Sequence, residues 1–351
     1  MQADNWLIYG AYGYTGELIA REAVRRGLQP ILAGRRAEPT EILAQELSLP
    51  HRVFDLGDKE TLHTSLSGVA AVLHCAGPFV RTSRPMVEAC LHAGCHYLDI
   101  TGEIGVFESI FRRDSKARDA GVVLLPGVGL DVVPTDCLAA YLSSQLPDAT
   151  HLELALHSEK GGASRGTLGT MIEGIPNIGA ERIDGIIVPR PPAFDTRQIE
   201  FSHGTRWTMT IPWGDLATAY RTTGIPNIRV YMGSSRRQIA RLRRITPLLP
   251  LLGTKPIKKT LQWWIRQRVT GPSEETRDTA RSHFWGSVRH GAGDSHSAIL
   301  EAPEGYKLTA MTAVESVMRV MDGEVEPGAW TPAGALGSEF IKTFEGVSAS
   351  W

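Results

Sequence analysis

Three glycines and two arginines near the amino terminus carry the sharpest chemical signal. The run Gly10-Ala11-Tyr12-Gly13-Tyr14-Thr15-Gly16 follows a short apolar stretch at 6–9 and opens a helical pattern over 14–26. Glycines so spaced permit a tight strand-to-helix turn. They let an anion approach main-chain amides at a helix N-terminus, where the macrodipole favours negative charge. The spacing is GxxGxxG rather than GxGxxG, but the physical demand is similar. At the end of the next strand, where a carboxylate would accept from ribose hydroxyls, the chain has Ala33-Gly34-Arg35-Arg36. A guanidinium there pairs bidentately with a 2'-phosphate instead. The pattern implies NADP(H), held by Gly10, Tyr12, Gly13, Tyr14, Thr15, Gly16, Gly34 and Arg35. Arg36 is either a second phosphate contact or a solvated loop residue. Asp55 is expected beside the adenine. Cys75, Ala76, Gly77 and Phe79 are expected on the nicotinamide side, with Phe79 as a wall.

A bound nicotinamide supplies the difficult chemistry, so the chain need only orient the reactants and provide a proton. Tyr97, at a strand end, and Tyr220, after the turn Trp213-Gly214-Asp215, are rival donors, and core packing of Tyr220 fits the sequence equally. Arg165, in Gly161-Gly162-Ala163-Ser164-Arg165-Gly166-Thr167, either holds a carboxylate, phosphate or thioester carbonyl or follows a capped helix start. No Ser-His-Asp order, carboxylate pair or HExxH is present. Cys90, His92, Cys95 and His96 match no zinc spacing and run from a helix into a strand, so no metal is expected.

These residues need a scaffold, and the first third supplies one. Apolar runs at 6–9, 29–33, 52–54, 70–74, 96–100 and 122–125 alternate with helical patterns, including 14–26 and 85–92. That alternation gives an α/β fold, a Rossmann doubly wound parallel sheet over 1–130, with ligands at the carboxyl ends of the strands. From His151 the pattern becomes one of alternating strands, at 151–157, 183–188, 206–211, 228–232, 284–289 and 297–301. They predict a second, α+β domain over 131–310 with a mostly antiparallel sheet. A helix over 306–321 presents Val314, Met318 and Met321 to a core, and 311–351 returns to the first domain.

Length and composition agree with two soluble domains: 351 residues, 42% hydrophobic and 21% charged. Four cysteines (Cys75, Cys90, Cys95, Cys137) form no disulfide framework. No signal sequence fits before the first strand and no apolar run reaches spanning length, so a cytoplasmic location is expected. The net charge of −1 hides a polarity: 233–272 holds ten Lys and Arg and no Asp or Glu, leaving −11 for the rest. Ile239, Leu242, Ile245, Leu248, Leu249, Leu251, Leu252, Trp263, Trp264 and Ile265 are interleaved with the cations. Pro247 and Pro250 divide this segment into two short helices and a linker. It suits an anionic membrane surface or an acidic acyl-carrier protein; a solvated face over the second domain is the plainer reading. No recognition module accompanies the charge, so nucleic acid is not expected. Homodimerisation is left open.

The motifs GAYGYTG, LAGR, CAGPF and HYLDITGE together resemble the saccharopine dehydrogenase-like oxidoreductases, closest to the trans-acting enoyl reductase branch. So do Pro126 to Asp136, Ser164 to Thr170, Pro212 to Tyr220, Thr223 to Asn227, Gly305-Tyr306 and Thr331-Pro332-Ala333. His74 and Val80 depart from residues common there. The resemblance implies hydride transfer from NADPH to a hydrophobic acyl or polyketide-like substrate at a C=C bond, in a cleft between domains. Its lysine-pathway members imply the alternative of a C–N bond. A non-catalytic membrane-associated NADP-binding protein is a third expectation.

Overall fold

The computed structural model describes residues 5–159, 162–175, 179–291 and 293–351. Gly161 lies outside them, as do the side chains of Leu252 and Arg266. The chain opens with β1 (Trp6–Tyr9), α1 (Tyr14–Arg25), β2 (Ile31–Gly34), α2 (Ala37–Leu47), β3 (His51–Val53) and α3 (Lys59–Ser65). It continues with β4 (Ala71–His74), α4 (Phe79–Ala93), β5 (His96–Asp99), α5 (Ile104–Phe111), α6 (Asp114–Asp119) and β6 (Val123–Leu125). There follow α7 (Val133–Gln145), β7 (His151–Ser158), α8 (Arg165–Gly174), β8 (Ala180–Ile183), β9 (Ile186–Pro189), β10 (Thr196–Phe201) and β11 (Gly204–Thr210). Next are α9 (Asp215–Thr223), β12 (Asn227–Gly233), α10 (Arg236–Ile245), α11 (Leu249–Leu252), α12 (Lys255–Arg268) and α13 (Glu274–Thr279). The last elements are β13 (Arg281–Arg289), β14 (Ser295–Pro303), α14 (Gly305–Met321), β15 (Gly328–Ala329), α15 (Pro332–Leu336) and β16 (Ser348–Ala349).

Two compact units result. The first joins the residues up to Leu130 with Tyr306–Leu336; the second joins Asp131–Gly305 with Gly337–Trp351. The return is therefore shorter than expected: it ends at Leu336, and the last stretch, which includes β16 paired with β14, belongs to the second unit.

The first unit is a parallel sheet in the order β15-β6-β5-β4-β1-β2-β3. Every residue of β1, β2 and β4 is buried, the mark of strands covered on both faces. Alternation sends Trp6 and Ile8 into one core and Leu7 and Tyr9 into the other. The first core is closed by α1 and α14, through Ile19, Ala23, Ala313, Val314 and Val317. Arg26 of α1 reaches Glu315 of α14 at 2.9 Å, and Thr312 donates to the Val128 carbonyl at 2.7 Å. The stripe on α14 thus runs through Val314, Val317 and Val320, with Met318 and Met321 only partly buried. Helix α4 begins at Phe79, six residues before the expected start at Pro85, and carries that proline within its length.

The second unit is a mixed sheet in the order β10-β11-β12-β7-β13-β14-β16, with the β8–β9 hairpin paired to β12. Only β7 and β12 run parallel; their neighbours pair antiparallel. β10 contacts β13, and Ile199 and Phe201 pack with Ala155 and Tyr231 in a small core of their own. In the basic segment α10 ends at Ile245, just before the prolines, and a short linking stretch leads to α12. Pro247 and Pro250 stand in the first turns of a 3-10 turn (Thr246–Leu248) and of α11, where a missing amide costs nothing. No helix among the described residues is long and apolar enough to cross a membrane.

Candidate functional site

The glycine turn lies at the carboxyl end of β1, at the point where strand order reverses between β1's neighbours β2 and β4. Gly10 has φ +85°, and its amide donates to the Ala33 carbonyl at 2.8 Å, tying the turn to β2. A Cβ there would stand 2.9 Å from the Ala76 nitrogen, so the turns after β1 and β4 touch. A Cβ at Gly16 would stand 2.3 Å from the Gly10 carbonyl oxygen. These approaches explain why the positions are glycines. They bring the start of α1 against the turn, and no side chain caps the helix. Its first-turn amides at Tyr14, Thr15 and Gly16 stand where an anion would accept from them. Tyr14 also packs edge-on against Tyr306 of the same unit at 4.9 Å.

The other cofactor candidates gather around the same strand ends. The Tyr12 ring crosses Gly34, where a Cβ would fall 2.4 Å from Cε1. Arg35 and Arg36 are exposed at the start of α2, and the Arg36 carbonyl accepts from Thr40 at 2.7 Å. Asp55 is exposed and accepts from the Gly57 amide at 2.7 Å. Burial raises the Tyr9 hydroxyl above its usual range, with Asp55 and Tyr12 adding to the rise and Arg35 opposing it. Asp55, Tyr12 and Arg35 therefore surround the end of β1. An uncapped helix start, an unobstructed glycine turn and two guanidinium groups in place of a carboxylate fit a 2'-phosphorylated dinucleotide.

Two expectations at β4 and β5 need correction. Phe79 is 7% exposed and packs edge-on to His74 at 5.4 Å, so its apolar ring belongs to the core and forms no wall. Its amide and that of Val80 donate to Glu103, at 2.8 and 2.7 Å, which occupies the start of α4. Cys75 is half-buried, and burial raises its thiol above the usual range. Ala76 and Gly77 keep places beside the glycine turn. Tyr97 is fully buried and donates its hydroxyl to Asp99 at 2.7 Å. A side chain without exposure, committed to a buried carboxylate, does not serve as a proton donor to substrate.

Asp99 itself was not singled out from the sequence. It also accepts from the Thr101 and Gly127 amides, each at 3.0 Å, and so stitches β5 to the segment after β6. Burial pushes its carboxyl up to about 6 despite these bonds. His74 is fully buried among Tyr9, Phe79 and Tyr97. Neither ring nitrogen has a hydrogen-bond partner among the described residues, and burial holds the imidazole down at about 3. Cys90 and Cys95 are buried, His96 accepts from the Val123 amide at 3.0 Å, and His92 faces His63 at 4.6 Å, so those four residues do not converge.

Tyr220 and Arg165 belong to the second unit. Tyr220 is 36% exposed, with the Arg182 guanidinium 4.1 Å from its ring centre, and is not a core residue. Arg165 donates to the Val269 carbonyl, and Ser164 caps α8 by accepting from the Thr167 amide at 3.2 Å. The helix start is capped, and the exposed Arg165 keeps guanidinium donors beyond the one given to main chain. Asp131, Asp136 and Asp215 gather near the starts of α7 and α9. Burial pushes Asp131 up to about 6 and Asp215 well above the carboxylate range. In the basic segment Ile239, Leu249 and Ile265 are buried, whereas Leu248, Leu251, Trp263 and Trp264 are more than half exposed among the cations.

Residues 6–125 match the family described as saccharopine dehydrogenase NADP binding domain. A saccharopine dehydrogenase-like oxidoreductase of Arabidopsis thaliana is 29% identical over 211 residues, 53% of this chain and 45% of its own. A trans-acting enoyl reductase of Mycobacterium bovis is 31% identical over 138 residues, 37% and 33% of the two chains. The chain thus spans less than half the length of the curated relatives it matches. Apo saccharopine dehydrogenase (L-Glu forming) from Saccharomyces cerevisiae shares the fold over 99% of both chains, with a TM-score of 0.67 at 12% identity.

Proposed function

We propose that the chain, whose residues 6–125 match the saccharopine dehydrogenase NADP binding domain family, is an NADPH-dependent reductase of a hydrophobic acyl or polyketide-like substrate, acting at a C=C bond. The observation that supports it most directly is the exposed pair Arg35 and Arg36 at the end of β2, beside the uncapped start of α1. In this reading the amides behind Gly10, Gly13 and Gly16 hold the pyrophosphate, and Arg35 pairs with the 2'-phosphate. The bound cofactor supplies the hydride. Tyr220, with its ring exposed and a guanidinium over its face, supplies the proton. The exposed apolar residues of 236–268 support a substrate delivered on an acidic carrier protein or from an anionic membrane.

The experiment is a titration with NADPH and with NADH, followed by cofactor fluorescence, then an NADPH-oxidation screen of enoyl-thioesters against imines. NADPH preference and enoyl-thioester turnover are expected. Binding of neither cofactor removes the enzyme reading. Turnover of imines alone replaces C=C reduction with chemistry at a C–N bond, and tight binding without turnover favours a binding protein. Co-sedimentation with anionic but not neutral vesicles at low salt, reversed by salt, would select the membrane over the carrier.

A further inference from the structure

Separate strands of the second unit converge on one partly covered corner. β7 ends at Ser158 and delivers Glu159. The turn between β10 and β11 delivers Ser202 and His203. β13 carries His283, in register with His157 on β7 and Glu301 on β14. One ligand atom each from Glu159, His203 and His283 lies within 4.8 Å of the others. The His203 and His283 rings are 3.8 Å apart, and His157 stacks on His203 at 5.0 Å.

Hydrogen bonding decides which nitrogen of His283 is available. Ser202 donates its one proton to Glu301 Oε2 at 3.1 Å, so the 2.8 Å bond between Ser202 Oγ and His283 Nδ1 is donated by the ring. With Nδ1 engaged by Ser202, Nε2 is the nitrogen left to face Glu159 Oε1, at 3.4 Å. His283 is 2% exposed. Neither its Nε2 nor either nitrogen of His203 has a hydrogen-bond partner among the described residues. A buried ring nitrogen that faces a carboxylate oxygen without a hydrogen bond is costly unless a proton or a cation lies between them. The spacing suits one: tetrahedral zinc, with nitrogen and oxygen ligands at about 2.0–2.1 Å, holds its donor atoms about 3.4 Å apart.

We propose that Glu159, a ring nitrogen of His203 and Nε2 of His283 bind a divalent transition-metal ion of the zinc class, with a fourth position open to solvent beside the 39%-exposed Glu159 side chain. Imidazole with carboxylate favours zinc over magnesium or calcium. Ser202 and Glu301 hold the His283 ring in its ligating tautomer, as partners of metal-bound imidazoles do. Burial, with His283 and Arg206 adding to it, holds the His203 imidazole below its usual range. The charges facing the corner are the carboxylates Glu159 and Glu301 against the Arg206 guanidinium; His157 is held down at about 4, chiefly by burial. The site stands independently of the nucleotide reading.

The test is calorimetric titration of the full chain with zinc chloride at neutral pH, paired with thermal unfolding with and without zinc. One zinc per chain is expected, with a raised unfolding temperature. His203→Ala, in an exposed turn, should weaken binding at least 10-fold, and Glu159→Gln should do the same while leaving the circular dichroism spectrum unchanged. His63→Ala, which removes one of the paired rings of the first unit, should bind as wild type does. Absence of saturable binding, or unchanged affinity in both His203→Ala and Glu159→Gln, overturns the proposal. So does loss of binding in His63→Ala.

Discussion

The glycine turn of the first unit and the histidine corner of the second are built from opposite materials. The turn works through main chain. Gly10 and Gly16 contribute by lacking a Cβ that would strike Ala76 or the Gly10 carbonyl, so what meets there is main chain. The corner works through side chains drawn from residues 159, 203 and 283 and depends on which nitrogens carry protons. A main-chain site fails when space is filled, whereas a side-chain site fails when a charge or proton changes.

The largest expected effect would sharpen that division by placing reaction chemistry in the second unit. Tyr220→Phe should lower kcat about 100-fold or more while NADPH affinity stays within error; a kcat near wild type removes the tyrosine from the reaction. Next is Gly16→Ala, which sets a Cβ 2.3 Å from fixed main chain. It should cost roughly 3 kcal/mol, or over 100-fold in NADPH affinity, read by fluorescence titration. Arg35→Asp should cost about 2 kcal/mol, roughly 30-fold, in NADPH binding while sparing NADH. An unchanged ratio would mean the phosphate is read elsewhere.

His74 is the test that would break the comparison, being a titratable side chain buried in the main-chain unit. Its folded value of about 3 lies below the ordinary 6.5, so the unfolded chain takes up the proton first. Stability is then whole above pH 6.5 and declines as pH falls toward 3. The loss by pH 5 is on the order of 2 kcal/mol. Asp99, raised to about 6, acts with the other sign and adds stability as pH drops through that value. His74→Leu should therefore reduce the acid loss between urea unfolding at pH 7.5 and at pH 5 by about that amount. Equal pH dependence in variant and wild type would show that the imidazole is not held neutral.

What could be read from sequence follows the same division. β1, β2 and β4 were legible because strands covered on both faces are nearly unbroken apolar runs, and the glycine turn because its parts adjoin. Phe79 was misplaced because a ring beside a glycine-proline turn reads as exposed, while its true partner, His74, is set by strand pairing. Tyr97 looked free because its bond to Asp99 skips one residue along β5 and no motif marks it. β10 was missed altogether, and with it the turn that carries His203. Ligand spacing along the chain marks only Cys90 to His96, four residues that do not meet at one point. The histidine corner exists only after β10 has folded across β13.

The first unit's chain path has a temporal consequence. During synthesis the ribosome releases β1 to β6 first, but α14 and β15, which cover one face and one edge of that sheet, emerge after 170 or so further residues. Until then Ile8, Leu32, Leu73 and Val123 have lost half their covering. The nascent nucleotide domain is an open sandwich, offered to chaperones or to its own ligand for most of its time in production.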